Sequence, residues 1–343
     1  MASGFINGIL YGRQETGFYV DDQRFVRFGS DAEIRKLLTE ADDLTDLDGG
    51  FVLPGFISIH MHMLKNSREN ASLPAEEALA AYGIKMNEAG ITAAGSEDFT
   101  DPGWEDTMDL FMRLAYQGRL HVRVSEQCRF RDERDYAAFL DEGYGAGIGD
   151  ELFTAGPLHL VMNDESGVLS YTDEEAETLV RLAGQFNTPV LAEVSTPAAL
   201  DQILAVFRDT MLPGNPLGDA VLCGEKVHPD QLDEIKRLGL YCAMPAGSVK
   251  DPYVLPYMPA DGTAPLAMIA SAADKEGTDG AIEALTAGAA RFIGMGSDTG
   301  QLQEGYLADF VVLDRDITAC AADEISSAQI RMTVLGGEAV YEK

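Results

Sequence analysis

Two histidines one residue apart, His60 and His62, close the apolar run FISIHMHM. Side chains at i and i+2 leave a strand on the same face, so two imidazoles placed this way can grip one metal ion. A packed or hydrogen-bonded pair of histidines fits the same spacing. The four cysteines, Cys128, Cys223, Cys242 and Cys320, form no Cys-x-x-Cys pair. Neither a zinc ribbon nor a thioredoxin-like redox site is suggested, and scattered thiols fit a reducing compartment.

The histidine pair opens a long middle region where short apolar runs alternate with amphipathic helical segments. FISIHMHM precedes AEEALAAYGIKMNEAG, ITAAGSED precedes WEDTMDLFMRLAYQG, and the alternation continues to LYCAMPA. Seven apolar runs with six intervening helices predict a parallel sheet covered on both faces. So many repeats favour a closed barrel, with His60 and His62 at the C-terminal mouth of its first strand, where active sites sit. Thr172 with Glu175 predicts a capping box, and Thr196-Pro197 predicts an N-cap followed by N1. Asp31 is the expected cap of DAEIRKLLTE, and His228 is expected to begin a helix. A clean eighth unit is missing. The segment GSVKDPYVLPYMPADGTA is too short and too Pro-rich to hold both a crossover helix and a strand. Either YVLPYM is a poor eighth strand or the barrel is incomplete. An incomplete barrel exposes sheet edge, which predicts a homodimer or larger homo-oligomer.

The 343 residues are 46% hydrophobic and 24% charged, an ordinary globular composition. With 57 acidic and 25 basic residues the formal net charge is −32. This acidic protein would repel phosphate backbones and anionic lipid, so no nucleic acid and no membrane partner is expected. The acidity itself is read as solubility. No run approaches eighteen apolar residues, and the first residues lack a basic region followed by a long apolar stretch. The reading is a soluble, cytoplasmic chain.

FVLPGFISIHMHM resembles the opening motif of the amidohydrolase superfamily, in which a Pro-Gly-Phe-Ile-Asp run leads into His-x-His. QLQEGYLADFVVLDRD and RMTVLGGEAVYE resemble the superfamily's return to a small β-domain after the barrel. Between them AYQGRLHVRVSEQ, GPLHLVMNDESG, HPDQLDEIKRLGLYCAMP and AIEALTAGAARFIG are similar, in order, to segments of the amidohydrolase family 3 branch that includes N-substituted formamide deformylase. The resemblance covers nearly the whole chain. It implies an α/β fold: a TIM-like (β/α) barrel over residues 55–300, plus a small β-sandwich from residues 1–54 and 301–343.

Set against that branch, the chain is shortened and its metal-site residues are altered. Ser58 stands where the family carries Asp. The strand-four Lys falls on His159, the strand-five His on Glu193 and the strand-six His on Cys223, with Glu225 close by. The strand-eight Asp, the family's general base, falls in the shortened segment, where Asp251 and Asp261 are the nearest candidates. The implied metal set is His60, His62, His159, Glu193 and Cys223, all competent ligands for zinc, with manganese or iron as alternatives. Losing the Lys removes a carbamate bridge, so one zinc is expected rather than two bridged ions. Bound zinc lowers the pKa of its water toward roughly 7. Glu193, Glu225, Asp251 or Asp261 then takes the water's proton and passes it to the leaving nitrogen. The implied activity is hydrolysis of a non-peptide, amide-like C–N bond in a small-molecule substrate. The alternative is a catalytically degenerate member that binds a small molecule or serves as an assembly subunit. Glu97 and Asp98, Glu126 and Cys128, and Asn163 to Glu165 end further runs near the mouth; in so acidic a chain such loop carboxylates are expected to be solvated.

Overall fold

The computed structural model describes residues 2–68, 73–99, 103–130, 132–224, 226–246, 248, 251–257 and 264–343. Glu225 and Asp261, both expected near the catalytic centre, lie outside the described residues.

Eight parallel strands form one sheet: β1 (Phe56–Met61), β2 (Ile91–Ser96), β3 (Arg123–Cys128), β4 (Phe153–Val161), β5 (Val190–Val194), β6 (Ala220–Cys223), β7 (Tyr241–Pro245) and β8 (Val254–Tyr257). They pair in sequence order from β1 to β8. Helices α1 (Ala75–Glu88), α2 (Trp104–Tyr116), α3 (Glu133–Asp141), α4 (Asp173–Gln185), α5 (Pro197–Thr210) and α6 (Pro229–Leu238) occupy the six connections from β1 to β7. The expected caps form: Thr172 and Glu175 make a capping box at α4, Thr196 caps α5 with Pro197 at N1, and His228 sits at the N-cap of α6. At the short helix Asp31–Leu37 the N-cap is Ser30, one residue before the expected Asp31.

YVLPYM does contain the eighth strand. Val254–Tyr257 pairs in parallel with β7, and only residues 246–253 connect the two, with no helix among those that are described. Residues 246–253 suffice to return along a strand of only four residues, so the crossover of a dozen or more expected from the sequence is not needed. No ladder joins β8 to β1 among the described residues. The barrel is nearly closed, and helix α7 (Pro265–Ala284), broken at Gly277 where φ is +76°, lines the seam with Pro265, Met268 and Ala284.

Strand alternation sorts the side chains into two layers. Ile57, Ile59, Ala93, Leu191, Leu222 and Ala243 face inward and pack on Ala289, Phe292 and Ile293, which plug the barrel. Val124, Leu158, Leu160, Ala192, Val194 and Val221 face outward under the helices. Both ends of the chain build two further sheets. One comprises four strands within residues 3–46; the other joins Ile9–Leu10 and Phe51–Pro54 to Phe310–Leu313, Ile330–Leu335 and Glu338–Glu342. Phe5, Phe18, Phe25, Phe28 and Phe310 stack together in this small domain. Gly55 turns the chain from Pro54 into β1; a Cβ there would overlap the Thr92 side chain.

Candidate metal centre

His60 and His62 sit at and just beyond the end of β1. The pairing of β1 with β2 is irregular between Ser58 and Met61. Such an irregularity re-aims side chains, and here it lets His60 follow the inward-facing Ile59 into the barrel mouth. The ring centroids of His60 and His62 are 5.4 Å apart, and those of His60 and His159 are 5.6 Å apart.

Each histidine of the pair has its Nδ1 engaged. His62 Nδ1 lies 2.7 Å from the carbonyl oxygen of Glu97, which can only accept, so Nδ1 carries the proton. His60 Nδ1 lies 2.6 Å from Gln127 Oε1. Gln127 donates its own amide to the Ile59 carbonyl at 2.7 Å, which fixes its oxygen toward His60. Both imidazoles are therefore set with Nε2 as the lone-pair nitrogen, the arrangement that outer partners impose on metal-binding histidines. Gly95 makes room for this: a Cβ there would meet Gln127 Nε2 at 2.5 Å and the Ile59 carbonyl at 2.6 Å.

Glu97 follows β2 and is buried. From sequence it is expected to be a solvated loop carboxylate, yet two candidate metal-holding groups share it. One is His60, His62 and Glu97; the other is Glu97, His159 and Glu193; the ligand atoms of each lie within 4.8 Å of one another. The loop bearing Glu97 is pinned from behind. Glu126 Oε1 accepts the backbone N–H groups of Asp98 at 2.7 Å and Phe99 at 2.9 Å, while Asp98 accepts from Leu64 N and Ser96 Oγ. Burial raises the pKa of Asp98 to about 6 and that of Glu126 well above the usual carboxylate range.

His159 is fully buried, 3.3 Å from Glu97 through Nδ1 and 3.4 Å from Glu193 through Nε2. Neither contact has hydrogen-bond geometry, so both ring nitrogens lack a hydrogen-bond partner. Burial disfavours the imidazolium, but Glu193 and Glu97 outweigh it and bring the His159 pKa to about 9. Burial also opposes ionisation of Glu97, yet His159 and Arg129 bring its pKa to about 2. Glu193 is held low by His159 against the same penalty. Burial and the charge of His159 lower the His60 pKa. Three imidazoles and two carboxylates gathered in one mouth are a donor set that suits a borderline divalent cation.

The other expected residues are elsewhere. Cys223 is one position out of register: Leu222, which pairs with Glu193, faces inward, so Cys223 packs in the outer layer. There the Cys242 thiol and burial raise its pKa well above the usual range. Asp251 precedes β8 on the return connection, at the opposite end of the barrel from the histidines. It pairs with Lys236 at 2.5 Å, because the chain must return to the strand-start end before β8 begins.

The amidohydrolase family model matches residues 278–341, the end of α7 and the C-terminal strands. The fold agrees: an uncharacterized metal-dependent hydrolase from Pyrococcus furiosus superposes with a TM-score of 0.77 at 13% identity, over 93% of this chain and 100% of that one. Over residues 278–341 the chain resembles the amidohydrolase family, and its fold is shared with metal-dependent hydrolases. Two further solved structures share the architecture. N-isopropylammelide isopropylaminohydrolase from Burkholderia multivorans matches with a TM-score of 0.73 at 16% identity, covering 100% of this chain and 98% of that one. An adenosine deaminase from Xanthomonas campestris with bound zinc matches with a TM-score of 0.72 at 13% identity, covering 98% and 92%. No curated protein sequence matches the chain. Among the described residues no helix is long and apolar enough to cross a membrane.

Proposed function

We propose that this chain is a metal-dependent hydrolase that cleaves an amide-like, non-peptide C–N bond in a small molecule. The observation carrying this reading is the convergence of His60, His62, Glu97, His159 and Glu193 at the barrel mouth, with the Nδ1 atoms of the histidine pair already committed. His60, His62 and Glu97 would hold one divalent ion, zinc in the first instance. When bound, that ion polarises a carbonyl and acidifies water. Glu193, partly exposed and kept ionised by His159, would accept the water's proton and deliver it to the leaving nitrogen. Arg129, 3.0 Å from Glu97 Oε1, holds that carboxylate in place.

The structural neighbours support the reading through their own activities: one is an isopropylaminohydrolase and another a deaminase, both acting at C–N bonds. A degenerate, binding-only member is the second reading, favoured by the position of Asp251 far from the mouth. Elemental analysis of protein purified without chelator, beside Glu97→Gln, followed by a screen of N-formyl and N-acyl amines, separates them. Metal bound by the wild type, lost in Glu97→Gln and required for turnover, supports the hydrolase. A metal-free wild type that zinc or manganese does not stabilise overturns it.

A further inference from the structure

Strand β8 ends in Tyr257, at the same end of the barrel as His60. Along β8, Leu255 and Tyr257 pack with the inward-facing layer while Val254 joins the outer one, so the phenol enters the mouth. His60 and Tyr257 share a cavity of about 20 Å³ at the seam between β8 and β1, walled mostly by apolar side chains such as Ile59 and Met268. That is room for one water-sized group. The Tyr257 hydroxyl makes no hydrogen bond to a described residue, although Glu193 lies close enough to act on it electrostatically. Burial, then Glu193, push its pKa up to about 12, so the hydroxyl stays a donor at neutral pH.

We propose that Tyr257 is a catalytic residue whose hydroxyl donates a hydrogen bond to the oxygen of the scissile carbonyl as charge develops there. This rests on the hydrolase reading above. The water oxygen forms a bond to the carbonyl carbon, and the C=O π pair moves onto the oxygen that Tyr257 faces. Tyr257 keeps its proton throughout. The pair returns as the C–N bond breaks, and the nitrogen leaves with the proton that Glu193 took from the water. A fixed donor aimed at the developing charge contributes where water cannot reorganise.

The test uses zinc-loaded full-length protein and methylphosphonate as a tetrahedral oxyanion probe, with calorimetric affinity and zinc content as readouts. Tyr257→Phe is expected to keep its zinc and its melting temperature while binding the probe at least about tenfold more weakly, as loss of a hydrogen bond to a charged group requires. Tyr257→His, which retains an N–H donor, is expected to recover part of that affinity. Equal probe affinity in wild type and Tyr257→Phe overturns the proposal with the hydrolase reading intact, as does a zinc-loaded wild type that does not bind the probe. A wild type that takes up no zinc overturns the hydrolase reading itself, and this proposal with it.

Discussion

Gln127 Oε1 accepts a hydrogen bond from His60 Nδ1 at 2.6 Å while its own amide donates to the Ile59 carbonyl, so a residue of β3 decides which nitrogen of a β1 histidine is free. Removing such an outer partner typically costs metal ligands 10- to 100-fold in affinity. Gln127→Leu, which keeps the volume and loses the acceptor, is expected to weaken zinc binding by about that factor with little change in far-ultraviolet dichroism. Competition against a fluorescent zinc chelator measures it; unchanged affinity would mean that the tautomer is set by something else.

Cys223 faces the outer layer beside Cys242, away from the proposed metal ligands. Cys223→Ala is expected to bind zinc with the wild-type stoichiometry and affinity. Stability should fall modestly, by roughly 1 kcal/mol, since a small buried group is removed. A loss of zinc in this variant would return Cys223 to the ligand set.

The small domain is tied to the barrel by a buried ion pair. Arg123, at the start of β3, meets Asp309 through Nε at 2.6 Å and Nη2 at 2.9 Å, and Asp309 also accepts from Gly336 N at 2.8 Å. Breaking one side of a buried pair leaves an uncompensated charge and costs about 3–5 kcal/mol. Asp309→Ala should show that loss in urea unfolding. Replacing both partners with apolar residues of similar size should cost less than Asp309→Ala alone.

Asp219 precedes β6, is buried, and accepts the Val190 N–H at 2.8 Å. Burial raises its pKa to about 6. A carboxyl with a folded pKa above its unfolded value of 3.8 stabilises the fold fully below that value, and the contribution is lost as pH rises through about 6. The swing is on the order of 3 kcal/mol. Asp219→Asn keeps the acceptor and removes the charge. The difference in stability between variant and wild type should therefore shift in favour of the variant between pH 4 and pH 7. Parallel curves in urea titrations across that range would show that Asp219 does not titrate as described.

Most of the fold was legible in the residue order. Alternating apolar runs and capped helices dictate a parallel barrel because each element must bury one face, and the His-x-His spacing marks the first strand whatever surrounds it. Sequence period also fixes that residues two apart share a face, which is why His60 and His62 act together. What it could not fix is phase between strands. Whether Leu222 or Cys223 faces the mouth depends on the pairing of β5 with β6, and a one-residue difference moves a side chain to the other face. Glu97 was hidden for a related reason: on a loop its local sequence resembles any solvated carboxylate, and only Glu126, Arg129 and His159, brought in from β3, the loop after it and β4, bury and hold it. The eighth strand, Tyr257 with it, was obscured because four residues carry too little periodicity to be read alone; the sheet edge offered by β7 makes them a strand.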